Sequence, residues 1–246
     1  MYFNAKNTHL FQSGNKNNLV TNQPVDILQD NFTILVRFKP DVKKFREIMG
    51  TESTYLPSCL VGKNGMHAGL FFVSGYDNLK KFNAKVSFEW WEHCEKQKKD
   101  IVKYVQLPVG EGTGISLDKP LDAAVVKEGN KITLSIGEFT AKQDIGNVVD
   151  YSNAFTWIGA ANRLNPDHNH IFYGDIDLLH ITEEVMPQKF IDIFFTNFNS
   201  FVKNIAKTDV FKTFFTTNFS AVTPYKIKDF SYNSNHPIKY SKKWHS

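Results

Sequence analysis

The segment Asn31-Phe-Thr-Ile-Leu-Val-Arg-Phe-Lys-Pro40 decides the fold class of this 246-residue chain. Large apolar residues occupy every second position of the segment, at Phe32, Ile34, Val36 and Phe38. Alternate residues of a β-strand lie on the same face, so one face of this segment is predicted to enter the core. Proline ends strands because it has no backbone N–H to donate. The segment is therefore predicted to be a β-strand that ends at Pro40.

The same period of two recurs in short segments separated by turn residues. Asn64-Gly65 and Gly129-Asn130 each stand between two such segments, as β-hairpin turns do. Further strands are predicted at residues 59–62, 68–74, 85–92, 100–107, 121–127, 131–136, 154–160 and 172–181. Because few helical stretches separate these strands, the pattern predicts an all-β, antiparallel two-sheet jelly-roll sandwich. A doubly wound α/β fold, which needs helices between its strands, is excluded.

The composition is that of a globular protein with a sizeable core. Apolar residues make up 41% of the chain, and 22 of its residues are Phe, which excludes overall disorder. The sequence contains no run of about 18 apolar residues, so no membrane span is predicted. The first residues lack the apolar region of a secretory signal, so we expect cytoplasmic synthesis and free thiols at Cys59 and Cys94. Lysine greatly outnumbers arginine, which argues against a nucleic-acid reader.

The chain is predicted to change character near Val185. Nine Lys and three Asp give residues 186–246 a net charge of +6, whereas residues 1–185 carry −2. After Val185, apolar residues recur at steps of three and four, which predicts a C-terminal helix of about four to five turns over residues 190–205. The polar, Lys-rich residues from Pro224 onward are expected to form an extended arm that orders against another surface.

Three stretches of the chain carry a family resemblance. They are residues 31–40, the hairpin of residues 123–137, and Trp157-Ile-Gly-Ala160 followed by Tyr173-Gly-Asp-Ile-Asp-Leu-Leu-His-Ile181. Together they resemble the laminin G-like branch of the concanavalin A-like lectin/glucanase superfamily over about residues 1–185. The family's usual His-Trp pair is replaced by Leu121-Asp122. The resemblance implies a concanavalin A-like sandwich, in which relatives bind sugars or proteins on one face and on the rim loops. Residues 186–246 have no counterpart in it.

Hydrolysis is one activity found in that superfamily, and its glycosidase members carry paired carboxylates on one strand. The nearest match here is Asp175-Ile-Asp177-Leu-Leu-His180, where a histidine stands in the third carboxylate position. A structural role for these aspartates is favoured, because a fold does not imply a function. The sequence also lacks a nucleophile elbow, and Gly110-Glu-Gly-Thr-Gly114 lacks the Lys of a phosphate loop, so this stretch is expected to be a mobile loop. The chain is predicted not to be an enzyme.

Carbohydrate binding has two candidate elements in the sequence. Trp90 has the same strand parity as Val86 and Phe88, so it is predicted to enter the core. Trp91 is then predicted to face outward as a stacking surface, unless the C-terminal helix covers it. The polar stretch of residues 162–170 supplies candidate contacts to sugar hydroxyls at Asn162, Asn165, Asp167 and His170. Oxygen ligands in the same stretch make Ca²⁺ a candidate cofactor. An ordinary solvated loop is the alternative.

The C-terminal segment has two interpretations. Its apolar stripe packs on the sandwich, or it docks the chain to a partner through Phe190, Phe194, Phe198, Phe201 and Trp244. The first prediction for the whole chain is a non-enzymatic, carbohydrate- or surface-binding sandwich that residues 186–246 anchor to a larger assembly. A phage or viral structural protein, either a capsid decoration or a tail-associated protein, fits this pattern. The alternatives are a purely structural protein–protein module and, less favoured, a polysaccharide hydrolase.

Overall fold

A computed structural model describes the chain at residues 2–3, 19–21, 31–49, 55–63, 68–77, 79–149, 156–159, 170–205, 213–218 and 237–239. The elements in chain order are β1 (Tyr2–Phe3), β2 (Leu19–Thr21), β3 (Phe32–Pro40), α1 (Val42–Met49), β4 (Leu56–Lys63), β5 (Ala68–Tyr76), β6 (Phe82–Cys94), β7 (Lys99–Val109), β8 (Leu121–Glu128), β9 (Lys131–Ile136), β10 (Phe139–Asp144), β11 (Thr156–Ile158), β12 (Gly174–Thr182), α2 (Gln188–Thr196), α3 (Phe198–Ile205), β13 (Thr213–Asn218) and β14 (Pro237–Lys239).

The strands form two antiparallel sheets. Sheet A has the order β1-β12-β3-β8-β9-β10, with β13 also paired to β12, and sheet B has the order β14-β2-β11-β4-β5-β6-β7. The alternate apolar residues of β3, from Phe32 to Phe38, are buried between the sheets, as the sequence predicts. The predicted all-β, two-sheet sandwich with C-terminal helices is therefore confirmed.

An aromatic cluster closes one end of the core. Phe45 of α1 packs against Phe72 of β5 with ring centroids 5.1 Å apart, and Phe38 and Phe172 complete the group. The sequence analysis did not predict α1, although Asp41 marks its start: the Asp41 carboxylate accepts a hydrogen bond from the Lys44 backbone N–H at 2.9 Å. Only Phe45 and Met49 of this helix are buried, so its apolar period spans a single repeat.

The outer face of sheet A is covered by α2 and α3. Leu35, Ala124 and Leu178 point outward from three neighbouring strands and pack against helix residues that include Ile191, Phe194 and Phe201. The buried Thr33 hydroxyl fixes the approach to α2, because it donates to the Glu184 carbonyl and accepts from the Met186 N–H. Burying each large apolar side chain stabilises this arrangement by about 1.5–3 kcal/mol.

Two predictions for the C-terminal segment need correction. The single helix predicted over residues 190–205 is two helices, because Asn197 leaves helical geometry (φ −146°, ψ 70°) and its side chain caps α3 by accepting from the Ser200 N–H. Phe194 and Phe201, offered as partner-docking residues, are fully buried within the chain, so no partner can reach them. Phe190 and Phe198 are half-buried, and Trp244 lies outside the described residues.

The chain after Val185 also contributes strands to both sheets. Strand β13 pairs with β12 in sheet A, with Leu178 opposite Asn218, and β14 pairs with β2 in sheet B, with Ile238 opposite Val20. The helices and both of these strands are thus integrated with the sandwich, which the charge boundary near Val185 does not reveal.

Candidate functional site

The outer face of sheet B carries Trp91 on β6. Trp90 enters the core with no exposed surface, and its indole N–H donates to the Glu92 carboxylate at 2.7 Å. Because neighbouring strand residues point to opposite faces, Trp91 lies on the outer face, where it is half-buried. Helices α2 and α3 pack on the other sheet, so they do not cover it.

Pairing between β6 and β7 places an exposed residue of β7 opposite both Trp91 and Glu89. Val102 lies opposite Trp91, and Tyr104 lies opposite Glu89. Val102 is 43% exposed and Tyr104 is 52% exposed. Tyr55, which is 51% exposed, directs its hydroxyl to Glu89 at an O–O distance of 3.4 Å. We call the surface formed by Tyr55, Lys85, Glu89, Trp91, Val102 and Tyr104 the Trp91 face.

Two charged groups of opposite sign lie among these aromatic rings. The Lys85 ammonium is 6.0 Å from the Tyr55 ring centroid and 5.9 Å from that of Tyr104, within cation–π range. Glu89 is buried at the base of the surface. Burial raises the pKa of the Glu89 carboxyl, and the Ser87 hydroxyl, the Lys85 charge and the Tyr55 hydroxyl partly oppose this shift. The face therefore combines apolar rings with one strong hydrogen-bond donor and one carboxyl group.

Of the predicted loop contacts, only His170 lies within the described residues. His170 is only 9% exposed, and its Nδ1 lies 2.8 Å from the Pro57 carbonyl oxygen. Its own carbonyl accepts from the Cys59 N–H, so His170 is held against β4 and offers little surface to a ligand. Asn162, Asn165 and Asp167 lie outside the described residues, and their role as sugar contacts stays a prediction.

The aspartates considered for hydrolysis lie on the other sheet. Asp177 lies at an irregularity of β12, between Ile176, which is opposite Phe38, and Leu178, which is opposite Arg37. Asp175 is opposite Lys39. Arg37 is in turn opposite Asp122 of β8. The Arg37 guanidinium is 3.5 Å from the Asp122 carboxylate, and burial raises the pKa of Asp122 to about 7 against the effect of Arg37. Burial likewise raises the pKa of Asp177. Of these three carboxylates, Asp122 forms an ion pair with Arg37, and all three lie on sheet A, apart from the Trp91 face on sheet B.

His180 occupies the position of the third carboxylate in the glycosidase pattern. It has no exposed surface, and its ring meets that of Phe201 edge to face, with centroids 6.3 Å apart. Burial lowers the pKa of His180 to about 3, so the imidazole is neutral at ordinary pH. A neutral ring sealed beneath α3 has no access to a substrate, and His180 is part of the helix–sheet contact.

Metal binding has no support among the described residues. In that part of the chain, no three His, Cys, Asp or Glu side chains converge as a metal site needs. Cys59, which is buried, and Cys94, which is half-buried, are both free thiols, as the sequence predicts. Across the same described residues, no helix has the length and apolar character needed to cross a membrane.

The sequence matches no protein-family model and no curated protein. Its fold resembles that of a Bacteroides ovatus protein to which carbohydrate binding has been ascribed, with a TM-score of 0.50, 10% identity, and coverage of 89% of this chain and 54% of that one. This chain thus spans about half the length of that protein. Other similar structures are domains LG4-5 of the mouse laminin α1 chain (TM-score 0.42, 11% identity, 72% and 43% covered) and the full-length tailspike protein 2 of an Escherichia coli O157:H7 bacteriophage (TM-score 0.42, 9% identity, 73% and 23% covered). The chain has an antiparallel two-sheet β-sandwich fold, consistent with the resemblance to concanavalin A-like and laminin G-like domains.

Proposed function

We propose that this chain is a non-enzymatic, carbohydrate-binding sandwich whose Trp91 face receives a sugar ring of a larger glycan. The observation that carries the proposal is the group of accessible aromatic side chains at Tyr55, Trp91 and Tyr104 around the polar pair Lys85 and Glu89. All but Tyr55 lie on two long paired strands, which hold them in fixed relative positions.

A pyranose ring fits the chemistry of this surface. One side of the ring is largely C–H and packs on an aromatic face, while the hydroxyls at its edge both donate and accept hydrogen bonds. The Lys85 ammonium supplies donors, and the Glu89 carboxyl supplies acceptor oxygens. Binding sites for small polar ligands typically combine apolar walls with a few placed polar groups. The same surface has no paired carboxylates, so the proposal is for binding without hydrolysis.

The fold likeness supports the same ligand class. The structurally similar Bacteroides ovatus protein has carbohydrate binding ascribed to it, although the two sequences are only 10% identical. Asn162, Asn165 and Asp167 are proposed to extend the site at the rim, with Ca²⁺ as a candidate ion there. His170 is proposed to have a structural role on β4, because its Nδ1 lies 2.8 Å from the Pro57 carbonyl oxygen.

A glycan and polysaccharide array tests the proposal, with the full-length protein applied with and without Ca²⁺. We expect Trp91→Ala and Tyr104→Ala to lower binding to any positive glycan by about tenfold, since an aromatic contact is worth about 0.5–1.5 kcal/mol beyond its buried area. The matched control is Leu79→Ala, which removes a 77% exposed apolar side chain from the turn before β6. Undiminished binding by a folded Trp91→Ala/Tyr104→Ala double variant would refute this site.

A protein partner is the second candidate for the same surface. Strand β7 is the terminal strand of sheet B, and it presents Val102 and Tyr104 to solvent. An exposed apolar strand at a sheet edge is a typical protein-binding surface. If no glycan binds and the two substitutions reduce association with a protein partner instead, the structural alternative is correct. Release of reducing sugar from an array polysaccharide would instead support hydrolysis.

Attachment to a larger assembly is the remaining part of the proposal. The net charge of +6 over residues 186–246 supports it, because a basic segment is attracted to an acidic partner surface. With Phe194 and Phe201 buried, the residues beyond α3, including Trp244, are the proposed anchor. A phage or viral particle is the proposed assembly. Immunogold labelling of particles purified from the source culture tests this, and particles free of the chain would refute it.

A further inference from the structure

A cavity lies at the end of the sandwich, apart from the Trp91 face. It has a volume of about 610 Å³ and is bounded by α1, the start of β6 and the loop that joins β7 to β8. Small-molecule sites typically measure about 300–1,000 Å³. Lys85, the nearest member of the Trp91 face, lies three residues from Phe82, or about 10 Å along β6. Phe82 has the strand parity of the buried Ala84 and Lys85 has the opposite parity, so the two surfaces lie on opposite faces of sheet B.

The loop over this cavity is held in shape by its own hydrogen bonds. The Gly110 N–H donates to the Ile115 carbonyl at 2.7 Å, and the Thr113 hydroxyl donates to the Gly110 carbonyl at 2.8 Å. Gly110, Gly112 and Gly114 all have positive φ, and Ile115 is buried. The sequence analysis expects a mobile loop here, and in the structure its glycines supply the positive φ of a hydrogen-bonded turn. A loop formed in advance lowers the ordering cost of binding.

The cavity wall combines an aromatic ring with charged groups of both signs. The Arg46 guanidinium lies 5.0 Å from the Phe82 ring centroid, and Glu111 and Asp118 line the same space with Ser116 and Leu117. Across the described ranges, no carboxylate lies within ion-pairing distance of Arg46. The cationic donors and anionic acceptors therefore face the cavity without neutralising each other in a direct pair.

Such a wall selects an uncharged ligand that has many hydroxyls. A ligand carboxylate is attracted by Arg46 but repelled by Glu111 and Asp118, and the signs reverse for a ligand ammonium. A hydroxyl accepts a hydrogen bond from a guanidinium and donates one to a carboxylate, so it satisfies both kinds of group. We propose that this cavity is a binding site for a single uncharged sugar residue. The proposal does not rest on the Trp91 face.

Amide chemical-shift mapping of the ¹⁵N-labelled full-length protein tests the proposal. The probes are D-glucose, D-galactose and D-mannose, with glucuronate and glucosamine as ring analogues of opposite charge. We expect at least one neutral hexose to shift the amides of residues 110–118, and to bind more tightly than both charged sugars. Arg46→Ala and Asp118→Asn are each expected to weaken this binding by about tenfold, the loss of one hydrogen bond to a charged group. Lys43→Ala, an exposed cation on the same helix that does not line the cavity, is the matched control and should leave the affinity unchanged.

The location of the shifts separates this proposal from the Trp91 face. Shifts confined to residues 110–118 would support the cavity alone, whereas shifts confined to residues 85–104 would support the Trp91 face and overturn the cavity site. The inference is wrong if no neutral hexose shifts the amide resonances of residues 110–118. It is also wrong if glucuronate or glucosamine binds there more tightly than the neutral hexoses do. Equal loss of affinity in Lys43→Ala and Arg46→Ala would also overturn it, because it would indicate general electrostatics.

Discussion

Replacing His180 is expected to change how stability depends on pH. The imidazole is fully buried beside Phe201, and burial lowers its pKa from 6.5 to about 3. In the unfolded chain the same group takes up a proton as the pH falls below about 6.5, so acid favours the unfolded state. Each pH unit is worth 1.36 kcal/mol, so from pH 7 to pH 4 this group lowers the free energy of unfolding by about 3.4 kcal/mol.

The variant His180→Gln removes the titration and keeps a polar group of similar size. Urea unfolding of both proteins at pH 7 and pH 4 gives two changes in the free energy of unfolding. We expect the wild type to lose about 3 kcal/mol more than the variant between these pH values. The contributions of the other titrating groups are common to both proteins and cancel in this comparison. Parallel losses in the two proteins would show that His180 is protonated in the folded state and would refute the argument.

Asp122 is expected to change the pH dependence of stability in the opposite direction to His180. Burial raises its folded-state pKa from 3.8 to about 7, which the nearby Asp177 reinforces and Arg37 opposes. The folded protein therefore holds this proton more tightly than the unfolded chain, and stability is lost as the pH rises from 3.8 towards 7. Between pH 4 and pH 7 the loss is at most about 4 kcal/mol, and it should disappear in Asp122→Asn. Because His180 and Asp122 act in opposite directions, the wild-type curve alone conceals both effects.

Three further predictions concern packing and thiol access. Phe194→Ala should lower the free energy of unfolding by about 3–5 kcal/mol in denaturant titrations, because it opens a cavity between α2 and sheet A; a loss below about 1 kcal/mol would contradict this packing. Gly146→Ala should destabilise the folded protein by about 1–3 kcal/mol in thermal unfolding. The Glu92 carboxylate accepts a hydrogen bond from the Gly146 N–H, and the new Cβ would lie 2.8 Å from it. Unchanged stability would contradict that contact. A thiol reagent should modify Cys94 but not Cys59 in the folded protein, because burial raises the pKa of Cys59; modification of both at equal rates would contradict its burial.

The strands could be predicted wherever one face enters the core. Residues 31–40, 85–92 and 121–127 alternate clearly, and β3, β6 and β8 lie there. Strand β10 was missed because all of its residues except Ala141 are exposed, so an edge strand without a buried face leaves no period in the sequence. The break between α2 and α3 was missed because the apolar residues on both sides of Asn197 keep the three- and four-residue spacing, although Asn is itself a favoured N-cap residue.

The functional surface was predictable only in part. Strand parity places Trp91 on the outer face, since one indole of an adjacent pair must face outward. Glu89 shares that face by the same parity, but its neighbour Tyr104 depends on the register between β6 and β7, which only the paired strands reveal. Tyr55 comes from yet another part of the chain and meets Glu89 through a side-chain contact. The cavity under residues 110–118 depends on α1, which the sequence analysis did not find.

The outward residues of the two sheets differ in polarity, being apolar on β3 and mixed polar and aromatic on β6. Strand β3 places Leu35 outward among apolar neighbours, and that face is completed by α2 and α3. Strand β6 places Lys85, Glu89 and Trp91 outward, and an apolar helix over this mixture would remove the half-buried Lys85 ammonium from water at a cost of several kcal/mol. A hydrated ligand with both C–H and hydroxyl surfaces would leave that ammonium hydrogen-bonded. These side chains therefore favour a polar ligand over an apolar helix on this face, in agreement with the sugar-binding site that we propose there.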